Sequence, residues 1–368
     1  MKRPYALDLS ETAWKEWCVA QGAKPFLGSQ IIEWMTRKNC LNPDQFSNIS
    51  LPLRARLSED FDWSLPGIDT LLKSDDESEK ILLKTHDGLF TECVLMPSEN
   101  RVTLCVSSQV GCRMACTFCQ TGKMGLSRDL TRGEILAQII IANRRLIERG
   151  EERRVTNIVF MGMGEPLDNF DEVVAACEVM LDERYFALSK HRVTVSTSGL
   201  VPAIEELGRR VPVSLAISLH SADEEQRSAM MPVNKKYPLA ELKETLLRYP
   251  VQTRHGITFE YVMINGVNDS IPHAKKLVKF LHGLKAKVNL IPMNPHPGSE
   301  MVATDPERMR EFQKYLTDRS IPAPVRYSRG QDVSAACGQL ASKRQSELKL
   351  PPRAVALARR REWLTTRT

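Results

Sequence analysis

The 368-residue chain lacks any apolar run long enough to span a membrane, which takes about 20 residues. Its first residues, Met1-Lys2-Arg3-Pro4-Tyr5-Ala6-Leu7-Asp8, lack the apolar core of a secretion signal. A cytoplasmic protein with no membrane partner is expected. The chain also lacks the bias of a disordered polymer: 42% of its residues are hydrophobic and 26% charged, which suits one large domain plus a smaller one. Nine cysteines, an odd number, do not make a disulfide framework and fit a reducing compartment in which thiols bind metals or react. Nor is there a general charge excess. The net charge of +6 resides in residues 341–368, where eight basic side chains stand against two acidic ones. This basic tail, broken at Pro351-Pro352, reads either as a phosphate-seeking arm or as a solvated one without a partner.

What is present is concentrated in Cys112-Arg-Met-Ala-Cys116-Thr-Phe-Cys119. A cubane iron–sulfur cluster and a closed structural zinc site each normally take four protein ligands, and here the local count stops at three. Cys105 lies on a predicted strand, and no His-x-x-x-His or second Cys-x-x-Cys follows to close a zinc knuckle. Two readings stay open: a cluster with one iron left for a small chelating ligand, or a zinc site borrowing a distant residue. Three unrelated core thiols fit poorly, because Gly111, Arg113, Met114, Ala115, Thr117, Gln120 and Thr121 around them are mixed and loop-like.

Beyond Arg101 the sequence alternates short runs rich in Val, Ile, Leu and Thr with longer amphipathic runs. Strands are predicted over 102–107, 155–161, 192–196, 213–219, 257–264 and 287–292. Thr131-Arg132-Gly133-Glu134 matches a capping box ahead of the apolar face of Ile135, Ile139 and Ile140. Pro202 and Pro306 fall where a first helical turn tolerates proline. The stripe Val173, Val174, Cys177 and Met180 makes 170–181 a helix and Cys177 a core residue. Such alternation predicts parallel strands with crossover helices, hence a barrel or an open doubly wound sheet.

Chemistry in these folds gathers at the carboxyl ends of strands. There the sequence places the cysteine loop, Met161-Gly162-Met163-Gly164-Glu165-Pro166, Ser196-Thr197-Ser198-Gly199, Ser218-Leu219-His220 and Pro292-Met293-Asn294-Pro295. Upstream, residues from about 10 to 72 carry Trp14, Trp17 and Trp34 among helical stretches punctuated by Pro43, Pro52 and Pro66, which reads as a small helical domain. Between them, Ile81-Leu82-Leu83-Lys84 and Glu92-Cys93-Val94-Leu95 flank His86-Asp87-Gly88, a hairpin turn signal. That hairpin is expected to bring Glu92 near the mouth of the barrel. The expected organisation is a helical accessory domain (1–75), a hairpin extension (76–100), a barrel with a C-terminal loop (101–340) and the tail (341–368); the resemblance given next implies that the first binds RNA and that the loop is catalytic.

The cysteine spacing resembles that of the radical S-adenosylmethionine (SAM) superfamily, with Phe118 in the aromatic position before the last cysteine. More closely, the chain resembles the dual-specificity RNA methyltransferases that methylate carbon 2 of adenine in large-subunit (23S) ribosomal RNA and in tRNA. The resemblance rests on 103–112, 161–166, 218–220, Asn294-Pro295 and the nine residues 332–340, and runs from the N-terminal helices through Leu340. It implies an α/β fold, a partial (β/α)6 radical SAM barrel with a small N-terminal helical domain and a β-hairpin extension. It further implies a 4Fe-4S cluster on Cys112, Cys116 and Cys119, and a SAM pocket formed by Gly164, Glu165, Ser196, Ser218, Leu219, His220 and Asn294. Cys337 matches the methyl-carrying cysteine, Glu92 the proton acceptor and Cys105 the second thiol.

In the scheme this resemblance implies, Cys337 takes a methyl from one SAM, and a second SAM provides the radical that activates it for addition to the ring. The protein–RNA link is then resolved by base removal of the ring proton and attack of Cys105 on Cys337, with a transient disulfide as by-product. A monomer served by an electron donor such as a flavodoxin system is expected on the same ground. A related family methylates carbon 8 of the same adenine and commonly has alanine where this chain has Pro166, which favours carbon 2. A zinc-containing RNA-binding protein without activity, and a radical SAM enzyme acting on protein or small molecules, are the competing readings.

Overall fold

In the computed structural model the described residues are 3–251, 256–294, 299–336 and 338–340; the basic tail, Pro295 and Cys337 lie outside them. Three helices open the chain, α1 (Glu11–Ala20), α2 (Phe26–Thr36) and α3 (Leu51–Asp60). The tryptophans that mark this stretch form its core: the Trp14 ring packs 4.6 Å from Phe61 and stacks 5.8 Å from Trp63, and Trp34 stacks on Phe46 at 5.2 Å.

Eleven strands follow among the described residues: β1 (Gly67–Lys73), β2 (Glu79–Lys84), β3 (Phe90–Ser98), β4 (Arg101–Cys105), β5 (Gln109–Cys112), β6 (Gly125–Asp129), β7 (Asn157–Phe160), β8 (Val193–Thr197), β9 (Ser214–Ser218), β10 (Ile257–Met263) and β11 (Ala286–Pro292). Nine make one sheet in the order β1-β2-β3-β4-β7-β8-β9-β10-β11, with every pair from β4 to β11 parallel. The helices are α4 (Gln120–Lys123), α5 (Arg132–Glu148), α6 (Phe170–Leu181), α7 (Val201–Arg210), α8 (Glu224–Met230), α9 (Leu239–Arg248), α10 (Ile271–Leu281) and α11 (Pro306–Thr317).

Each new parallel strand adds to the same edge. With right-handed crossovers this keeps the helices on one face of the sheet, so the order selects the barrel-type winding and excludes the doubly wound alternative. Strand positions match the periodicity within a few residues. The capping box forms as read, Thr131 Oγ1 accepting from the Glu134 N–H at 3.2 Å and Glu134 accepting in return from the Thr131 N–H at 3.0 Å. The hairpin β2–β3 turns at Thr85–Leu89 with Gly88 at φ 82°, and Cys177 is fully buried.

Two features were not legible. Residues 67–73, taken with the helical segment, form β1, an edge strand antiparallel to β2; its side chains are exposed or half-buried, so it carries little hydrophobic alternation. The cysteine loop is held at the base of a second, two-stranded sheet in which β5 pairs with β6. A Cβ at Gly111 would lie 1.9 Å from the Gly125 carbonyl, so the ribbon closes this tightly only with glycine there. No helix among the described residues is long and apolar enough to cross a membrane.

Candidate active site

The carboxyl ends of the parallel strands frame a cleft with about 1000 Å³ of space between its walls, including the part open to solvent. Cys112, at the end of β5, and Cys116 and Cys119, in the turn before α4, line one side. Ala115 holds a left-handed conformation, φ 53°, which reverses the chain between the first two cysteines. The Thr117 N–H donates to the Met230 carbonyl at 3.0 Å and the Gln120 N–H to the Gly338 carbonyl at 2.7 Å, so the loop is tied both to α8 and to the C-terminal segment.

Burial pushes all three thiols up, Cys112 to about 12. Such thiols become good ligands only where a cationic centre takes the place of the proton. Among the described residues no three His, Cys, Asp or Glu side chains are grouped tightly enough to hold a single metal ion. Three thiols from one loop at one end of a cleft suit a cluster, in which each thiolate binds a different iron. The donor set therefore fits an iron–sulfur cluster with one iron lacking a protein ligand better than it fits zinc.

Glu165, 3% exposed, lines the same cleft. Its carboxylate accepts from the Ser198 N–H at 2.8 Å and the Leu167 N–H at 3.1 Å, yet burial still raises its pKa above the ordinary value. A buried carboxyl of this kind gains from a cationic ligand such as an ammonium. Gly162 and Gly164 let the backbone through: a Cβ on Gly162 would lie 2.6 Å from the Val106 carbonyl, and one on Gly164 2.6 Å from the Gln109 side chain, where φ is already 102°.

Ser196, Ser218, His220 and Asn294 complete the polar lining. His220 adopts φ 57°, and its Nδ1 accepts from the Val262 N–H at 3.1 Å, which leaves Nε2 as the protonated nitrogen of a neutral ring. Burial, then the Arg227 charge, lowers its pKa to about 3. Phe118 meets this ring edge-on at 4.7 Å. Asn294 donates to Ser328 Oγ at 2.9 Å and accepts from Gln331 Nε2 at 3.3 Å.

Leu219, Glu92 and Cys105 are not part of the cleft lining. Leu219 is fully buried and enters only through its backbone, whose carbonyl accepts from Arg227 Nε at 3.1 Å. Cys105 and Glu92 stand on a neighbouring part of the sheet. Register places Lys80 opposite Val94, Val94 opposite Cys105 and Cys105 opposite Val159. Facing partners share one side of a sheet, so Lys80, Val94, Cys105 and Val159 line up across four strands, with Glu92 two residues from Val94 on the same side. Ala335 and Leu340 pack against Cys105 and Val94, which brings the segments flanking residue 337 to this row. Cys337 itself lies outside the described residues, and with it the expected disulfide to Cys105; no two described cysteines are joined.

Sequence reasoning missed two residues of the site. Glu260 lines the cleft from β10, and burial, opposed by a hydrogen bond from Asn289, raises its pKa to about 7. One carboxylate inside the apolar run 257–264 was the available signal. Arg227, 1% exposed, ties the ends of β8 and β9 together, and nothing in its helical context marks it.

The chain matches the radical SAM superfamily over residues 106–278 and the ribosomal RNA large subunit methyltransferase N-terminal domain over residues 6–62. It is 47% identical over 327 residues to the dual-specificity RNA methyltransferase RlmN of Anaeromyxobacter sp. (strain Fw109-5), spanning 88% of this chain and 87% of that protein. Identity to the protein of the same name from Anaeromyxobacter dehalogenans (strain 2CP-C) is 45% over 325 residues, with the same coverage. The crystal structure of a radical SAM methyltransferase from Sphaerobacter thermophilus superposes with a TM-score of 0.87 at 42% identity, covering 92% of this chain and 100% of that one.

Proposed function

Because the chain belongs to the dual-specificity RNA methyltransferase RlmN family of the radical SAM superfamily, we propose that it methylates carbon 2 of an adenosine in 23S ribosomal RNA and in tRNA. The observation that carries this reading is the convergence of three thiols from one loop with Glu165, His220 and Asn294 on a single cleft at the carboxyl end of the parallel sheet.

Cys112, Cys116 and Cys119 would hold a 4Fe-4S cluster, and Glu165 would receive the ammonium of SAM. When bound, the two supply a methyl group and, from a second SAM, the radical that activates it. The residues of the chain do the rest. Gly162 and Gly164 let the loop after β7 pack against Val106 and Gln109 and so form part of the cleft wall, and the neutral His220 ring offers Nε2–H as a donor. Phe118, Met231, Val262 and Met293 give the cleft apolar walls that keep water from a reactive carbon centre.

Cys337 carries the methyl on its sulfur, and the addition to carbon 2 joins protein to RNA. In release, the carbon 2 proton passes to the Glu92 carboxylate, the unpaired electron left on the ring by the addition is given up to a one-electron acceptor, and the Cys105 thiolate bonds to the Cys337 sulfur. The carbon–sulfur electron pair stays with the methylene carbon, which takes up a proton to become the methyl. Turnover then needs reduction of the disulfide, and a flavodoxin-type donor acting on a cytoplasmic monomer completes the reading. The N-terminal helical domain and the tail 341–368 are the RNA-binding candidates. Pro166, in the cleft wall, favours carbon 2 over carbon 8.

Nucleoside mass spectrometry of ribosomal RNA and tRNA from a deletion strain tests the proposal. Loss of 2-methyladenosine, restored by the intact gene, is expected; unchanged 2-methyladenosine, or loss of the 8-methyl isomer in its place, overturns it.

A further inference from the structure

Lys80 is a buried cation that the cleft does not use. It projects from β2 with 8% of its surface exposed, between the apolar neighbours Leu82 and Val94 on the same side of the sheet. Burying an ammonium costs several kcal/mol unless partners compensate, and an unbranched apolar side chain would fill this position without that cost. Two contacts define what the charge does. Nζ lies 3.3 Å from Oε2 of Glu92, itself 2% exposed, and donates to the Ser334 carbonyl at 3.0 Å. One ammonium thus touches both the expected base and the loop that leads, three residues on, to Cys337.

The loop is fastened independently. The turn between β1 and β2 grips it: Ser74 Oγ donates to Asp332 Oδ1 at 2.5 Å and the Asp75 N–H to Asp332 Oδ2 at 3.2 Å. Asp76 accepts from the Gly330 N–H at 3.0 Å and pairs with Arg329 at 3.3 Å. Loss of the single bond at Ser334 therefore leaves the loop held. Losing Lys80 takes a cation away from 3.3 Å beside Glu92, and a buried carboxylate with less positive charge nearby is driven toward its neutral form, which does not take up a proton. The Glu92 backbone is fixed from the other side by Ser107, whose Oγ donates to the Glu92 carbonyl at 2.5 Å.

We propose that Lys80 is a positioning residue that acts through Glu92: tied to the Ser334 carbonyl, its ammonium keeps the Glu92 carboxylate ionised and aimed at the Cys337-linked adenine during release. This rests on the function proposed above. It separates the two halves of the reaction, since methylation of Cys337 needs no base at carbon 2.

The test uses full-length enzyme with reconstituted cluster, SAM, reductant and an RNA substrate. Three quantities are followed: methyl on Cys337 by mass spectrometry, protein–RNA link on denaturing gels, and 2-methyladenosine. In Lys80→Met, Cys337 methylation is little changed while release slows roughly tenfold or more, the worth of a charge-assisted contact, so linked species accumulate. Lys80→Arg recovers most of the rate. The decisive comparison is Glu92→Gln against Glu92→Gln/Lys80→Met, which removes the charge pair together and so avoids a lone buried charge should Lys80→Met fold poorly. If Lys80 acts through Glu92, the double variant releases no more slowly than the single. A further tenfold loss in the double variant, or equal losses of Cys337 methylation and release in Lys80→Met, overturns the proposal. Wild-type formation of 2-methyladenosine, measured first, reports separately on the functional reading.

Discussion

Replacing Arg227 with methionine isolates what one buried guanidinium does for the site. Its Nη2 donates to the Ser198 carbonyl at 2.7 Å and the Ser218 carbonyl at 3.3 Å, Nε to the Leu219 carbonyl at 3.1 Å, and Nη1 to Asn234 Oδ1 at 2.6 Å. These partners lie at the ends of β8 and β9 and in the turn after α8, so a single fork joins the strand ends that carry Ser196, Ser218 and His220. Burial lowers its pKa to about 10, which leaves it charged at neutral pH. Hydrogen bonds from a charged donor contribute about 1.5–3 kcal/mol each, and four would sum well above that. The desolvation of the guanidinium, absent in Arg227→Met, offsets a large part. The acceptors left behind are neutral, which places the net loss near the low end for breaking a buried charged network, about 3 kcal/mol.

The expected result is a urea midpoint lowered by about 1 M in the cluster-free protein, with SAM affinity of the reconstituted enzyme weakened roughly tenfold or more as the strand ends separate. Arg227→Lys should recover only part of both, since an ammonium cannot reach four acceptors in a fixed plane. An unchanged midpoint and affinity in Arg227→Met, or full recovery in Arg227→Lys, would show that the fork does not organise the cleft.

Glu165→Gln keeps the shape of the carboxyl and removes its charge; SAM should bind about 10–100-fold more weakly. Because the pKa of Glu165 is raised in the ligand-free protein, wild-type affinity should tighten as pH rises above the ordinary carboxylate range, whereas the variant stays flat in calorimetry. Glu260 has a folded pKa of about 7 against the ordinary 4.5, so the folded state holds its proton more tightly than the unfolded one. Its contribution is present below 4.5 and lost as pH climbs to about 7. Glu260→Gln should therefore gain on wild type across that window, by on the order of 3 kcal/mol, in urea midpoints taken at pH 5 and pH 8; an equal difference at both would refute the assignment. Cys105→Ala should accumulate the protein–RNA link on denaturing gels, and only unlinked protein would count against a second thiol in release.

Much of this was legible because the signals are local. Six parallel strands, the capping box at Thr131 and the turn at Gly88 follow from periodicity and from what single residues permit. β1 escaped because an exposed edge strand carries little pattern. β5 and β6 escaped because they are short and pair across the cysteine loop, so that neither reads as a strand alone. Leu219, Glu92 and Cys105 carried no local signal of their own: Leu219 is buried just after β9, and register sets Glu92 and Cys105 on the sheet face beside the cleft.

By itself the sequence determined the kind of chemistry: three thiols within eight residues, and glycines and small or polar groups at successive strand ends. Which buried charges meet was decided only by tertiary structure. Lys80 faces Glu92 because β2 pairs with β3 in one register, Arg227 reaches two strand ends because α8 starts the connection from β9 to β10 beside them, and Glu260 enters the cleft because β10 presents that side inward. The physical reason is that propensity and periodicity act over a few residues, whereas the partner of a buried charge is chosen by packing between segments far apart in the chain.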